Sequence, residues 1–481
     1  MDTIFGYLSL QWLYWTVVVL YTLTALFIVG VIISENRNPL KSLAWITVLV
    51  LLPVVGIVLY IFFGRNIKNK HMISRRRNRQ LRSLSLQALQ VSLPGDLSDT
   101  SRQQIRMARN IADAPYYPGN EATIYTGGAE KFDALIADIL SAREYVHLQY
   151  YIFNDDNTGR RVAEALMDRA RAGVKVRVIY DHIGSLHTSS AFFRRMQREG
   201  VEIYPFFKVA FPWLATRINW RNHRKVCVID GRVGYIGGMN VADRYVEKRA
   251  DGRVWRDTHL RITGPAIAAL QYSFAIDWNF MRKELLTEQA AVMPRAGAEG
   301  VGMQMLTCGP TSRWSEVAFA FFKAIGNARH RIFIQTPYFL PTEALLKALQ
   351  SAALSKVDVR VMIPTRSDSV ILTAASKSYV SECLDAGIKI YLYDGGMLHS
   401  KTLIVDDEFC SVGSTNFDFR SFEHNFEGNL FIYSRDFNRE LSATFHADMR
   451  QSRRVQRSEW RRRPLTQKIV ESVVRLLSPV L

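Results

Sequence analysis

The chain opens with two apolar blocks and then changes character. Thr3 to Ser34 contains no charged residue, and a second uncharged block, Ser42 to Gly64, follows the loop Glu35 to Lys41. A membrane-spanning helix needs about 20 apolar residues. The pattern therefore predicts two transmembrane helices, about 10–33 and 42–63, making a hairpin of residues 1–64. Pro53 and Gly56 leave room for the second to be bent or re-entrant. A cleaved signal peptide competes for the first block, but its apolar region of about 7–15 residues follows basic residues. Here Asp2 is the only charge ahead of the block.

After Gly64, Arg65, Lys68, Lys70, Arg75, Arg76, Arg77, Arg79 and Arg82 arrive before the first acidic residue, Asp96. Residues 65–115 read as a basic juxtamembrane connector, partly helical, broken at Pro94-Gly95. From Tyr116 the pattern alternates strand and helix, and does so twice. The first unit has strands at Tyr145–Phe153, Lys175–Tyr180 and Val201–Phe206 with helices at Gly159–Ala172 and Ala191–Glu199. The second repeats that order with Arg331–Phe339, Thr342–Ala353, Asp358–Ile363, Thr373–Ala386 and Lys389–Tyr393. Words recur too: Gln149-Tyr150-Tyr151 against Gln335-Thr336-Pro337-Tyr338, and Gly200-Val201-Glu202-Ile203-Tyr204 against Gly387-Ile388-Lys389-Ile390-Tyr391. This predicts an α/β protein of two duplicated domains, 116–297 and 298–450, each a mixed sheet flanked by helices, joined near Arg295 to Gly302. A basic amphipathic segment, 451–481, closes the chain; its apolar residues from Ile469 to Leu477 recur at helical spacing, suiting either an interfacial helix or packing on the domain.

The formal net charge of +18 permits nucleic acid, but a basic belt beside a membrane span also suits an anionic lipid surface. Positive charge flanking a span stays cytoplasmic, so both the N-terminus and the large C-terminal part are expected on that side. Four scattered cysteines, Cys227, Cys308, Cys383 and Cys410, give no zinc or disulfide framework.

The candidate chemistry sits in the duplication. His223-Arg224-Lys225 has Asp230 seven residues after the histidine, and His399-Ser400-Lys401 has Asp406 at the same spacing. Chance gives two such matches in roughly one chain in a thousand of this length. The apolar runs Val226–Ile229 and Thr402–Val405 follow, then turns, then Gly237-Gly238-x-Asn240 and Gly413-Ser414-x-Asn416. If each motif lies on a strand, its histidine and lysine share a face.

A phosphodiester repels nucleophiles, so cleaving it needs cations on the non-bridging oxygens, an in-line nucleophile and an acid for the leaving oxygen. One His-Lys pair supplies half of that. Two domains facing each other about a pseudo-two-fold axis supply all of it: one histidine attacks phosphorus, the other protonates the alcohol, and Lys225, Lys401, Asn240 and Asn416 hold the anion. An attacking histidine needs a carboxylate on its other nitrogen. Asp257 and Glu427 are candidates. Asp230 and Asp406, members of the candidate catalytic set by motif, have the opposite parity, which favours a structural, salt-bridging role. A metal is not expected, because a lysine two residues from each histidine repels it and no further ligand recurs.

The doubled motif resembles the phospholipase D superfamily. The whole chain, from Asn38-Pro39 and Gly64-Arg65-Asn66 through Arg256-Asp257-Thr258-His259 and Thr336-Pro337-Tyr338-Phe339 to Gly413-Ser414-Thr415-Asn416, is similar to the bacterial cardiolipin synthases of the two-span type. The resemblance implies transfer of a phosphatidyl group from one phosphatidylglycerol to another through a phosphohistidine, giving cardiolipin and glycerol, without a cofactor, at the bacterial cytoplasmic membrane. It favours His223 as nucleophile. Nucleic acid is not an expected partner; a phospholipase D-type hydrolase and a non-catalytic anionic-lipid scaffold are the alternatives. The aromatic loop Phe206 to Leu214 suits either a lipid entrance or a core segment.

Overall fold

The structure, a computed structural model of the chain, describes residues 2–34, 39–52, 54–60, 72–85, 93–208, 220–247, 254–282, 284–286, 288, 299–476 and 478. Arg65, Lys68 and Lys70, residues 209–214 of the aromatic loop, 295–298 of the expected domain join and Leu477 lie outside them.

The chain forms two compact units. In the N-terminal one, the helix Asp2–Ser34 contains a 24-residue apolar stretch, Gln11–Ser34, long enough to cross a membrane. The second apolar block corrects the expectation of an equal partner. It makes two shorter helices, Pro39–Leu51 and Val55–Leu59, and among the described residues only one helix has the length and composition of a span. The sequence explains the break: proline at 53 has no N–H for the carbonyl of Leu49, four residues back. The Tyr21 hydroxyl donates to that carbonyl instead, at 2.5 Å. Ile28, Ile32, Leu49 and Tyr60 pack as a small core around it.

In the larger unit both repeats contribute to one mixed sheet. From one end the order is Glu202–Phe206, Lys175–Asp181, Tyr145–Tyr150, Val226–Ile229, Val233–Gly237, His259–Thr263 and Tyr117–Tyr125. It continues with Val301–Cys308, Asn425–Tyr433, Phe409–Gly413, Thr402–Val405, Arg331–Gln335, Asp358–Pro364, Lys389–Tyr393 and the edge strand Ser452–Arg454. Leaving out that edge strand, the second half retraces the first in reverse. The halves meet where Tyr117 pairs antiparallel with Met303, as a two-fold relation between duplicated units requires.

Alternation along the strands divides the core. Cys227 and Ile229 face the helices Gly128–Leu140, Asn157–Arg171 and Ser190–Arg198, whereas Val226 and Val228 face the opposite layer. That layer holds Ile267–Arg282 and Arg435–Arg450, one long helix from each repeat. The expected helix Thr373–Ala386 is two helices, Val370–Ser378 and Val380–Asp385, joined at Tyr379. The connector is more than a tether: Ser98 caps the helix Asp99–Ala112, whose Ile105 and Ala108 enter the core of the second half. The C-terminal helix Leu465–Arg475 is held by Arg463–Glu471 and Arg475–Glu382 ion pairs and tucks Val474 against the core. Its other apolar residues, Leu465, Ile469, Val470 and Val473, are exposed.

Candidate active site

Two short parallel pairings stitch the halves together. Arg221–Asn222 runs beside Asn425–Phe426, and Val254–Arg256 runs beside Gly396–Leu398. His223 and His399 follow these pairings directly, in extended joints ahead of Val226–Ile229 and Thr402–Val405 and not within a strand as expected. The His223 N–H donates to the carbonyl of Phe426 (2.9 Å) and the His399 N–H to that of Arg256 (2.7 Å). The backbone of each histidine is thus fixed by the other repeat.

The side chains cross in the same way. His223 Nδ1 lies 2.9 Å from Glu427 Oε1, and His399 Nδ1 lies 2.6 Å from Asp257 Oδ2. Each histidine therefore takes its carboxylate from the opposite copy. Further donors hold the carboxylates: Ser414 Oγ (2.5 Å) and Asn425 Nδ2 (3.2 Å) on Glu427, the Thr258 N–H (2.7 Å) on Asp257. This accounts for the Gly-Gly-x-Asn and Gly-Ser-x-Asn words. A Cβ on Gly238 would stand 2.1 Å from Asp257 Oδ1, so only glycine admits that carboxylate, while Ser414 at the matching position hydrogen-bonds its own. With Nδ1–H donating to the carboxylate, Nε2 is the ring nitrogen left for chemistry; no described protein group occupies it on either histidine.

Burial pulls the His223 imidazole down to about 4 against the attraction of Glu427, and burial with the Lys401 charge pushes His399 well below its usual value. Glu427 stays below the usual carboxylate range, because His223 and Lys225 outweigh the effect of its burial. Burial lifts Asp257 to about 6. Lys401 falls to about 8 and Lys225 well below normal, both mainly through burial. Lys225 Nζ donates to the His223 carbonyl (2.5 Å) and Lys401 Nζ sits 2.8 Å from His399 Nδ1. Two buried ammonium groups, balanced by Glu427 and Asp257 but lowered by burial, would gain from a further anion brought into the site.

His223, His399, Asn240 and Asn416 line one cavity of about 370 Å³. Asn240 is committed to the Ile152 N–H and the Tyr245 hydroxyl, while the Asn416 Oδ1 is buried without a partner among the described residues. Aromatic rings wall the histidines: Tyr151 edge-on to His223 (4.9 Å between centroids), Tyr245 and Trp255 beside His399 (5.8 and 5.2 Å). Sequence reasoning missed Tyr245, Trp255 and the cavity-lining Arg221, Arg244 and Arg420. A signal for two of them was present, since Arg244 and Arg420 each stand four residues after the motif asparagine.

Asp230 and Asp406 do not line the cavity. Asp230 accepts the N–H groups of Arg143, Glu144 and Tyr145, each at 2.8 Å; Asp406 accepts those of Arg329 (2.9 Å), His330 (2.7 Å) and Arg331 (3.0 Å). Both occupy the left-handed region, φ 49° and 50°, which aspartate tolerates in turns. They tie the motif hairpin to the start of the neighbouring strand. Asp230→Ala is expected to lower stability by about 1–3 kcal/mol, with kcat per folded molecule within about threefold of wild type. Denaturant melts alongside titrated-enzyme kinetics check this.

A second pair of aspartates lies behind the site. Asp277 Oδ2 accepts from Arg224 (2.7 Å), Gln149 (2.6 Å) and Asn222 (2.8 Å). Asp448 accepts from Arg256 (2.9 Å) and Gln335 (2.7 Å). The arginines hand this rigidity forward: Arg224 Nε donates to the Glu427 carbonyl (3.0 Å) and Arg256 to that of Asp257 (2.7 Å). The recurring Gln149 and Gln335 were visible in sequence; their partners on distant helices were not.

A doubled α/β unit whose two His-Lys motifs meet at one cavity defines the phospholipase D-like fold. The profile described as "Cardiolipin synthase, PLD-like domain" matches residues 135–278 and 321–449, and one described as "Phospholipase_D-nuclease N-terminal" matches 15–65. The chain belongs to the cardiolipin synthase family of phospholipase D-like proteins. It is 39% identical to the major cardiolipin synthase ClsA of Bacillus subtilis (strain 168) over 96% of this chain and 98% of that one. It is also 39% identical to a cardiolipin synthase of Geobacillus kaustophilus (strain HTA426), over 96% and 93%. Among solved structures, a phosphatidylserine synthase from Haemophilus influenzae Rd KW20 superposes with a TM-score of 0.61 at 13% identity, covering 79% of this chain and 100% of that one, a likeness of fold.

Proposed function

We propose that the protein is a cardiolipin synthase that moves a phosphatidyl group between two phosphatidylglycerol molecules. The family assignment supports the reaction class. The observation that carries the mechanism is the crossed pairing of each histidine with the other copy's carboxylate at a single cavity. Binding of the phosphodiester anion favours the protonated His399 imidazolium, whose Nδ1–H is held by Asp257. In the first step His223 Nε2 attacks phosphorus, the bond to the glycerol oxygen breaks, and His399 Nε2 gives that oxygen its proton. In the second, the hydroxyl of another phosphatidylglycerol gives its proton to His399, its oxygen attacks phosphorus, and the P–N bond breaks. Lys225, Lys401 and Asn416 hold the non-bridging oxygens through both steps. Glu427 keeps the attacking ring in the tautomer with Nε2 free and stabilises the cation that forms. The aromatic walls exclude water, favouring a lipid alcohol as acceptor.

Gln11–Ser34 anchors the chain, the arginines of Arg75–Ser85 face anionic headgroups, and the exposed apolar residues of Leu465–Arg475 contact the bilayer interface. The basic residues that follow the apolar segments favour the cytoplasmic side for the larger unit.

Incubation of the purified protein with phosphatidylglycerol vesicles, products resolved by mass, tests the reading. Cardiolipin and glycerol in equal amounts support it. Phosphatidic acid in their place makes the protein a hydrolase, and no turnover makes it a scaffold. The pH profile of kcat/KM is expected to be bell-shaped. It rises through about pH 6 as Asp257 ionises and can accept from His399, and falls through about pH 8 as Lys401 loses its proton. A flat profile between pH 5 and pH 9 would contradict these roles.

A further inference from the structure

Arginines elsewhere in the core of the larger unit are matched to acids. Arg177, Arg224 and Arg256 each bind a carboxylate. Those at the cavity are not: among the described residues no carboxylate bridges Arg221, Arg244 or Arg420. A guanidinium taken out of water without a counter-ion is costly, so a cluster of them marks where an anion arrives.

The three differ in what they already do. Arg244 lies over the rings of Trp255 (5.0 Å) and Tyr245 (5.9 Å), on the His399 side. Arg221, two residues before His223, is buried and among the described residues gives one side-chain hydrogen bond, to the Trp220 carbonyl (2.9 Å). Arg420 is half-buried at the start of the helix Phe419–Glu423, near enough to act on both Arg221 and Tyr151. The nearby carboxylates are spent on other groups. Asp181 accepts the N–H groups of Ile183, Gly184 and Asn222; Asp418 accepts that of Ser421; Asp368 accepts the Tyr338 hydroxyl. Two adjacent guanidinium groups thus face the cavity with no ion pair among the described residues, Asp181 reaching Arg221 only through its longer-range field.

One transferring phosphate already has two lysines and Asn416. A second anion is expected in the reaction, because a phosphatidylglycerol acceptor carries its own phosphodiester three carbons from the hydroxyl that attacks. We propose that Arg221 and Arg420 form a subsite for the acceptor's phosphate, selecting a lipid alcohol that bears a phosphodiester over neutral alcohols. This rests on the cardiolipin synthase reading and deepens it. Planar guanidinium groups suit a non-bridging oxygen pair better than ammonium groups do. The subsite acts on acceptor choice and leaves formation of the phosphatidyl-enzyme untouched.

The test compares two alcohols on one enzyme. Vesicles of phosphatidylglycerol in phosphatidylcholine are incubated with labelled glycerol, and two products are followed: cardiolipin, and labelled phosphatidylglycerol formed by headgroup exchange. Exchange uses the same covalent step with an acceptor that has no phosphate. In Arg221→Gln and Arg420→Gln the ratio of cardiolipin formation to exchange is expected to fall roughly ten- to a hundredfold, through KM for the lipid acceptor, with exchange retained. An unchanged ratio overturns the proposal, whether both activities persist or both decline together. Arg420→Lys, which keeps the charge but not the fork, decides the matter should either glutamine variant not fold: a reduced ratio supports the subsite and a wild-type ratio overturns it. Wild-type protein that yields neither product removes the cardiolipin synthase reading itself.

Discussion

Purified protein carrying His399→Ala is expected to form cardiolipin at least about 10⁴-fold more slowly than wild type, and His223→Ala to do the same. On the proposed mechanism the two losses do not add, because both histidines would act on one phosphorus and the double variant has little more to lose. The fold should survive both changes. Each histidine is positioned through its backbone N–H, which alanine keeps, and each ring borders a cavity, so its removal enlarges an existing space. Steady-state rates with unchanged melting temperature and vesicle binding check this. Appreciable activity in either single variant would mean that one motif suffices and that the copies do not share a site.

The largest expected effect on stability lies away from the histidines. Asp277→Ala leaves the Arg224 guanidinium buried without its acid and frees the Gln149 and Asn222 amides that shared the same oxygen. Removing one partner of a buried ion pair costs about 3–5 kcal/mol. Activity should fall as well, since Arg224 steadies the Glu427 carbonyl and hence the carboxylate on His223. Urea unfolding of the larger unit by intrinsic fluorescence gives the energy. A change under about 1 kcal/mol would show that Arg224 finds another partner or water and is not fixed by Asp277.

How much of this the sequence revealed follows from the range of each interaction. Local periodicity found the strands Val226–Ile229 and Thr402–Val405 and most of the helices, because those depend on neighbours two to four residues apart. The duplication gave the idea of a shared site, and Asp257 and Glu427 were picked out as carboxylates following each motif. That each would serve the other copy's histidine was not visible, since it depends on the pairings at Arg221–Asn222 and Gly396–Leu398, which join residues about 140 to 200 apart. The same limit hid Asp277 and Asp448. Strand parity for His223 and Lys225 failed for a local reason: the motif sits where the chain leaves a short pairing with the other repeat, so period-two reasoning had no strand to act on. The second membrane segment has the hydropathy of a span, but proline at 53, already a signal of a bend in the sequence, lacks the N–H that a continuous helix needs, and the helices there are shorter than a span.

On the proposed mechanism both copies serve one phosphorus, and a single histidine carries the phosphatidyl group. A rapid quench into base during turnover of phosphorus-labelled phosphatidylglycerol, followed by peptide mapping, tests it most directly. The prediction is one label per chain, on His223, absent from His223→Ala and present on no other residue. Label divided equally between His223 and His399, or cardiolipin formed with no labelled histidine at all, would contradict it.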